Sequence, residues 1–280
     1  MPIPPAVRAW LDDWELQPVE PEALGEWAPE LRRIQERFDY HADNLRRISR
    51  DKGKTRSTLA FVYQPDLNAI VFEAEPGHIG VGLHFGTVIQ LRDTYARLLS
   101  HPAVLPEIGN ASLERKRRIP LLLVHHHVRE KPGSTVEPIV PMDLERMAFA
   151  ERCFWDAIDF LLLHELSHAW RGHLAYLNGQ LGMAAHAESG PRVARLTDLE
   201  ALECDADQFA GAHFLAPIRG EPGENGAYRH PLRGAFAIQV LFFLMHQIAG
   251  PGTAVSTHPH PQVRARLVRA VFRVLAESAG

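Results

Sequence analysis

Only two cysteines, Cys153 and Cys204, occur in this chain, so no disulfide framework can hold it together. Such sparse use of cysteine suits a reducing compartment, and a cytoplasmic protein is expected. A basic excess is also missing, since 30 Lys and Arg stand against 34 Asp and Glu, a net charge of −4. That balance excludes the electropositive footprint of a nucleic-acid binder. Long apolar runs are absent too. The most apolar stretch, residues 235–248, contains Gln239, His246 and Gln247 and stops at Gly250 and Pro251. It falls short of the roughly 20 residues that cross a bilayer, so a core helix is expected there and no membrane span. No basic stretch precedes an apolar core near Met1, and no signal peptide is expected. Internal repeats and low-complexity segments are missing as well.

What remains is an ordinary globular composition, 46% hydrophobic and 23% charged, in a chain of 280 residues that can bury a sizeable core. Residues 8–50 read as helical, cut into pieces by Pro18, Pro21 and Pro29. Ser57–Tyr63, Ala69–Ala74 and Ile79–Phe85 are short, rich in Val, Ile and Phe, and separated by Pro-Asp and Pro-Gly turns. They predict two or three strands of a small sheet. Val88–Leu99 fits an amphipathic helix, and Ile119–His126 a further strand. From Met142 the pattern turns helical, over roughly 143–178, 194–216, 231–249 and 261–277, with Asp143 suited to cap the first and Pro261 to open the last. Strands preceding helices indicate an α+β protein. Three parts are expected: an N-terminal helical segment over 1–54, a β-containing subdomain over 55–141, and a helical region over 142–280.

The chemistry concentrates in that helical region. Residues 160–170 read F-L-L-L-H-E-L-S-H-A-W, an H-E-x-x-H pattern inside an apolar helix. His164 and His168, four residues apart, share one helical face, so both imidazoles can reach one ion. Glu165, one step round, stands beside that ion. Zinc lowers the pKa of a bound water, and a carboxylate there can take its proton during attack on a carbonyl. Solvent-facing histidines are the plainer reading, but Leu161–Leu163, Leu166, Ala169 and Trp170 leave little polar face.

A catalytic zinc usually takes a third protein ligand. A third His ten positions after the first is ruled out, because position 174 is Leu. His173 is one residue off that register and reads as helix surface or as a support behind the ligands. The acidic stretch Glu200, Glu203, Asp207 lies on one face of a later helix. Glu203 can complete a His-His-Glu set, with Glu200 as the alternative. Asp207 can accept a hydrogen bond from the outer ring nitrogen of a ligating His. Cys204, turned by about 100° from its neighbour, belongs with the core.

H-E-x-x-H followed by E-x-x-A-D resembles the gluzincin zinc metallopeptidases, especially the family of the heat-shock membrane metalloprotease and the prenyl-protein endopeptidase. The resemblance runs from 160 to 275 and implies a zincin-like fold and a zinc ion. The implied ligands are His164, His168 and Glu203, with Glu165 as base and Asp207 as orienting acid. Thr257-His258-Pro259 with Arg264 is similar to a late block of that family, whose His and Arg are thought to stabilise the tetrahedral oxyanion; this implies catalytic roles for His258 and Arg264. The membrane spans of those families are missing, and the short distance between the motifs, with Arg171-Gly172-His173, is closer to the soluble phage-exclusion peptidases of bacteria.

Other features have simpler readings. His125, His126 and His127 suit a solvated strand end, and His260 a turn before Pro261. The expected function is a zinc-dependent endopeptidase acting on a peptide or protein through a metal-activated water, with an edge of the sheet at 57–86 or 119–126 aligning the substrate. The alternatives are a metal-binding regulatory protein without catalysis and a hydrolase of small amides.

Overall fold

The strands form because their alternate side chains are buried on both faces. Arg56–Val62 (β2), Ala69–Glu75 (β3) and His78–His84 (β4) build the centre of the sheet. Leu59, Phe61, Val71, Val81 and Leu83 face the main core, whereas Ala60, Val62, Ile70 and Phe72 face a smaller cluster with Val7 and Leu11. That smaller cluster is closed by the helix Pro5–Asp13 (α1). Between β3 and β4 the turn uses Pro76 and Gly77, the latter at φ 75°, where a side chain would be strained. Gly80 leaves room for the Phe72 ring, which occupies the place a Cβ would need, and Trp10 stacks on that ring at 3.7 Å.

The computed structural model describes residues 3–48, 54–114, 139–181, 185–187, 196–215, 231–248 and 259–277. Pro18–Val19 (β1) pairs antiparallel with β2. The sheet order is β1-β2-β4-β3-β5, with β2 and β4 parallel and β5 the strand Ala185–Ala187. Both edge strands were absent from the sequence reading: β1 has two residues and β5 three, too short to show a period. The expected strand at 119–126, the three histidines and His258 lie outside the described residues.

Helices cover the sheet. Ala28–Ile48 (α2) and Phe85–Leu99 (α3) pack with the central helix Leu144–Trp170 (α4). Asp143 caps α4, its side chain accepting from the backbone N–H groups of Glu145 and Arg146 at 3.0 Å. From Cys153 to His168 every residue of α4 is buried, so its acids need partners. Asp159 is held by Arg37 and lies 3.2 Å from His41; Asp156 accepts from Arg233 at 2.7 Å.

The expected helix over 143–178 is two helices. Gly172 takes φ 80°, and the chain restarts as His173–Leu181 (α5). Leu196–Leu215 (α6), Pro231–Ile248 (α7) and Pro261–Glu277 (α8) complete the packing against α4 and one another. The architecture is α+β and mainly helical. One buried cluster draws residues from α2, the sheet, α3, α4, α6, α7 and α8. Among the described residues no helix is long and apolar enough to cross a membrane.

Candidate metal centre

Because α4 is enclosed, the polar side chains on it must be satisfied by neighbouring helices, and α6 lies directly against it. His164, Glu165, His168, Glu203 and Asp207 are all fully buried. The Nε2 atoms of His164 and His168 are 3.0 Å apart. Glu203 brings one carboxylate oxygen to 3.4 Å from His164 Nε2 and the other to 3.5 Å from His168 Nε2. Potential ligand atoms of His164, His168 and Glu203 thus lie within 4.8 Å of one another.

The outer nitrogens decide which ring atoms carry protons. His164 Nδ1 is 3.0 Å from Asp207 Oδ1; with its proton on Nδ1, facing that carboxylate, the ring would keep the lone pair on Nε2. Asp207 is in turn gripped by Arg264, with Nε 2.7 Å from Oδ2 and Nη2 2.8 Å from Oδ1. Arg264 Nη2 also lies 3.3 Å from Glu203 Oε2, and the guanidinium sits 4.2 Å over the Phe242 ring. On the far side, His168 Nδ1 is 3.0 Å from His173 Nδ1, and His173 Nε2 is 2.9 Å from Asp205 Oδ2. Asp205 also accepts two hydrogen bonds from Arg171, at 2.7 and 2.8 Å.

Charge and donor type fit a divalent cation. Among the described residues of this site, Glu165, Glu203 and Asp207 are buried carboxylates and Arg264 is a buried guanidinium. Buried charges of that kind are paired or coordinate a metal. Two imidazole nitrogens and a carboxylate are a common zinc donor set. Burial pushes the His173 imidazole below its ordinary pKa, against the pull of Asp205, which favours a neutral ring. The hydrogen bond from Arg171, with help from His173, holds Asp205 below the usual carboxylate value despite burial. Burial, then the negative charge of Asp207, raises the Cys204 thiol.

The family model of peptidase U49 matches residues 126–279, over half of the 280 residues. The chain belongs to the peptidase U49 family. Neither a curated protein nor a solved structure matches it. Membership in the U49 family makes peptide-bond hydrolysis the reaction class and a peptide or protein the substrate class. The matched span includes α4 to α8, and so every helix that contributes to the cluster.

Of the residues singled out by motif, His164, Glu165, His168, Glu203, Asp207 and Arg264 are all buried on the helices that meet here. Glu200 sits one turn earlier on α6 and is partly exposed. Arg264 has Asp207 and Glu203 as partners. Sequence reasoning left His173 between two readings and did not single out Asp205. Asp205 stands two positions from Glu203, a spacing that gives no shared helical face, so only the adjacency of Arg171, Gly172 and His173 hinted at this cluster.

Proposed function

We propose that this U49 family member is a zinc-dependent endopeptidase of the gluzincin type with a zincin-like fold. The observation that carries the reading is the convergence of His164 Nε2, His168 Nε2 and a Glu203 oxygen at one buried point. These three residues would hold the ion. When bound, zinc supplies Lewis acidity, lowering the pKa of water and polarising the scissile carbonyl.

Glu165 follows His164 on α4 and is fully buried. Its carboxylate takes a proton from the attacking water as the new C–O bond forms. It then passes that proton to the nitrogen of the scissile amide as the C–N bond breaks, and the new carboxyl group gives its own proton to the departing amine, so that an ammonium and a carboxylate leave. Asp207 holds His164 with Nε2 toward the ion. Arg264, two-point bound to Asp207 and in reach of Glu203, supports a role in holding ligands behind the metal, while His258 is assigned to the oxyanion. Among the described strands the edges of the sheet are β1 and β5. An extended peptide added to the β5 edge would extend the sheet whose strands β3 and β4 pack on α4, the helix that carries Glu165.

Metal analysis of the purified chain, beside peptide-library cleavage by wild type and Glu165→Gln, tests the reading. About one zinc per chain in both, with turnover lost at least about 100-fold in the variant, is expected. Retained turnover in Glu165→Gln sinks the assignment of the base, and a chain without metal sinks the zinc mechanism.

A further inference from the structure

In an uninterrupted helix, residues 168 and 173 would lie about 140° apart around the axis and could not face each other. Here α4 stops at Trp170, Gly172 takes φ 80°, and α5 starts at His173. The break swings the His173 ring back onto His168, with Nδ1 to Nδ1 at 3.0 Å and ring centroids 5.0 Å apart. His173 is 4% exposed, so water does not compete freely for that contact.

The proton positions follow from the partners. Asp205 is held as a carboxylate by Arg171 and accepts at Oδ2, 2.9 Å from His173 Nε2. His173 therefore donates from Nε2, which leaves the lone pair on its Nδ1. The 3.0 Å contact is then a hydrogen bond donated by His168 Nδ1, and Nε2 of His168 keeps its lone pair toward His164 and Glu203.

We propose that His173, held by Asp205 and Arg171, is a positioning residue that fixes His168 in the tautomer and ring orientation a metal ligand needs. The proposal rests on the zinc-site reading above. It makes the centre two-sided. His164 is backed by Asp207 and Arg264 from α6 and α8, and His168 by His173, Asp205 and Arg171, a chain that leads from the buried ligands to a half-exposed ion pair. An imidazole inserted between ligand and carboxylate extends the reach of that acid: Asp205 supports His168 without touching it.

The test uses cobalt(II) as the probe on the full chain, with affinity set by competition against a chelator and the ligand field read from the visible band. His173→Leu removes the acceptor. It should weaken cobalt binding by about 10- to 100-fold and alter the band. His173→Asn puts an amide oxygen near the place of Nδ1 and should recover most of that loss, which a purely structural role would not predict. Asp205→Ala, on a partly exposed side chain, should weaken binding several-fold whether or not His173→Leu folds. Wild-type affinity in His173→Leu or Asp205→Ala, or a His173→Asn variant as weak as His173→Leu, overturns the proposal. A wild-type chain that binds no cobalt, or a Glu203→Ala chain that binds it as well as wild type, overturns the zinc-site reading too, and so separates the two failures.

Discussion

Arg264 closes on Asp207 with two parallel contacts, Nε to Oδ2 at 2.7 Å and Nη2 to Oδ1 at 2.8 Å, across 57 residues of chain. Both side chains are almost wholly buried. The same carboxylate lies 3.0 Å from His164 Nδ1, so the pair joins α8, α6 and α4 at the back of the candidate metal centre.

Removing the guanidinium should therefore harm folding and metal binding together. Arg264→Ala leaves Asp207 with an uncompensated buried charge, which costs about 3–5 kcal/mol. Arg264→Lys keeps a charge but loses the two-point geometry and should lie between. Urea unfolding gives the stability, and zinc retention against a chelator gives the second readout. Lost turnover with unchanged stability and unchanged zinc would instead place Arg264 at the oxyanion.

Glu203 and Glu200 should part company. The Glu203 carboxylate spans both Nε2 atoms at 3.4 and 3.5 Å, whereas Glu200 lies a turn away with partial exposure. Glu203→Ala should reduce bound zinc to a small fraction of wild type, and Glu200→Ala should leave it near one per chain. Added zinc should raise the thermal midpoint of wild type and Glu200→Ala, because an ion that binds only the folded state stabilises it. An unshifted midpoint in Glu203→Ala completes the pattern.

Gly172 offers a conformational test. Among the described residues nothing stands within 4 Å of the Cβ that Gly172→Ala would add, yet the φ of 80° is strained for any side chain. A loss of about 1 kcal/mol follows from the backbone alone. If α4 and α5 shift to relieve it, His173 moves off His168 and zinc affinity should fall too; chemical denaturation and chelator competition measure the two effects.

Arg146 gives a control far from the chemistry. Its fully buried guanidinium donates to the carbonyls of Leu99, His101, Val104, Leu105 and Ile108 at 2.7–3.1 Å. Arg146→Met strands those carbonyls and leaves Glu114, 3.7 Å away, without its cation. A loss of about 3 kcal/mol or more is expected in a denaturant titration. Zinc content of the folded fraction should stay at the wild-type level.

How much of this was legible beforehand depends on range along the chain. The strands at 56–62, 69–75 and 78–84 lie within a residue or two of where their apolar runs and Pro-Gly turn put them. The last two helices start and stop close to their expected limits. The break at Gly172 escaped notice because apolar periodicity continues through it as Leu174 and Leu177, and one glycine is compatible with either outcome. β1 and β5 exist through their pairing partners alone.

The sequence by itself determined that two imidazoles stand on one face of an apolar helix, with a carboxylate beside them, because spacing within a helix is a local property set at 3.6 residues per turn. It also marked an acidic helix as the candidate source of a third ligand. Only the tertiary structure decided that Glu203 lies against both Nε2 atoms, that Arg264 grips Asp207, and that His173 turns back onto His168 with Asp205 behind it. Apart from the turn of His173 onto His168, which the break at Gly172 makes locally, those relationships join residues 32 to 57 positions apart, and they are set by how buried faces pack and by the need to satisfy every charge enclosed between them.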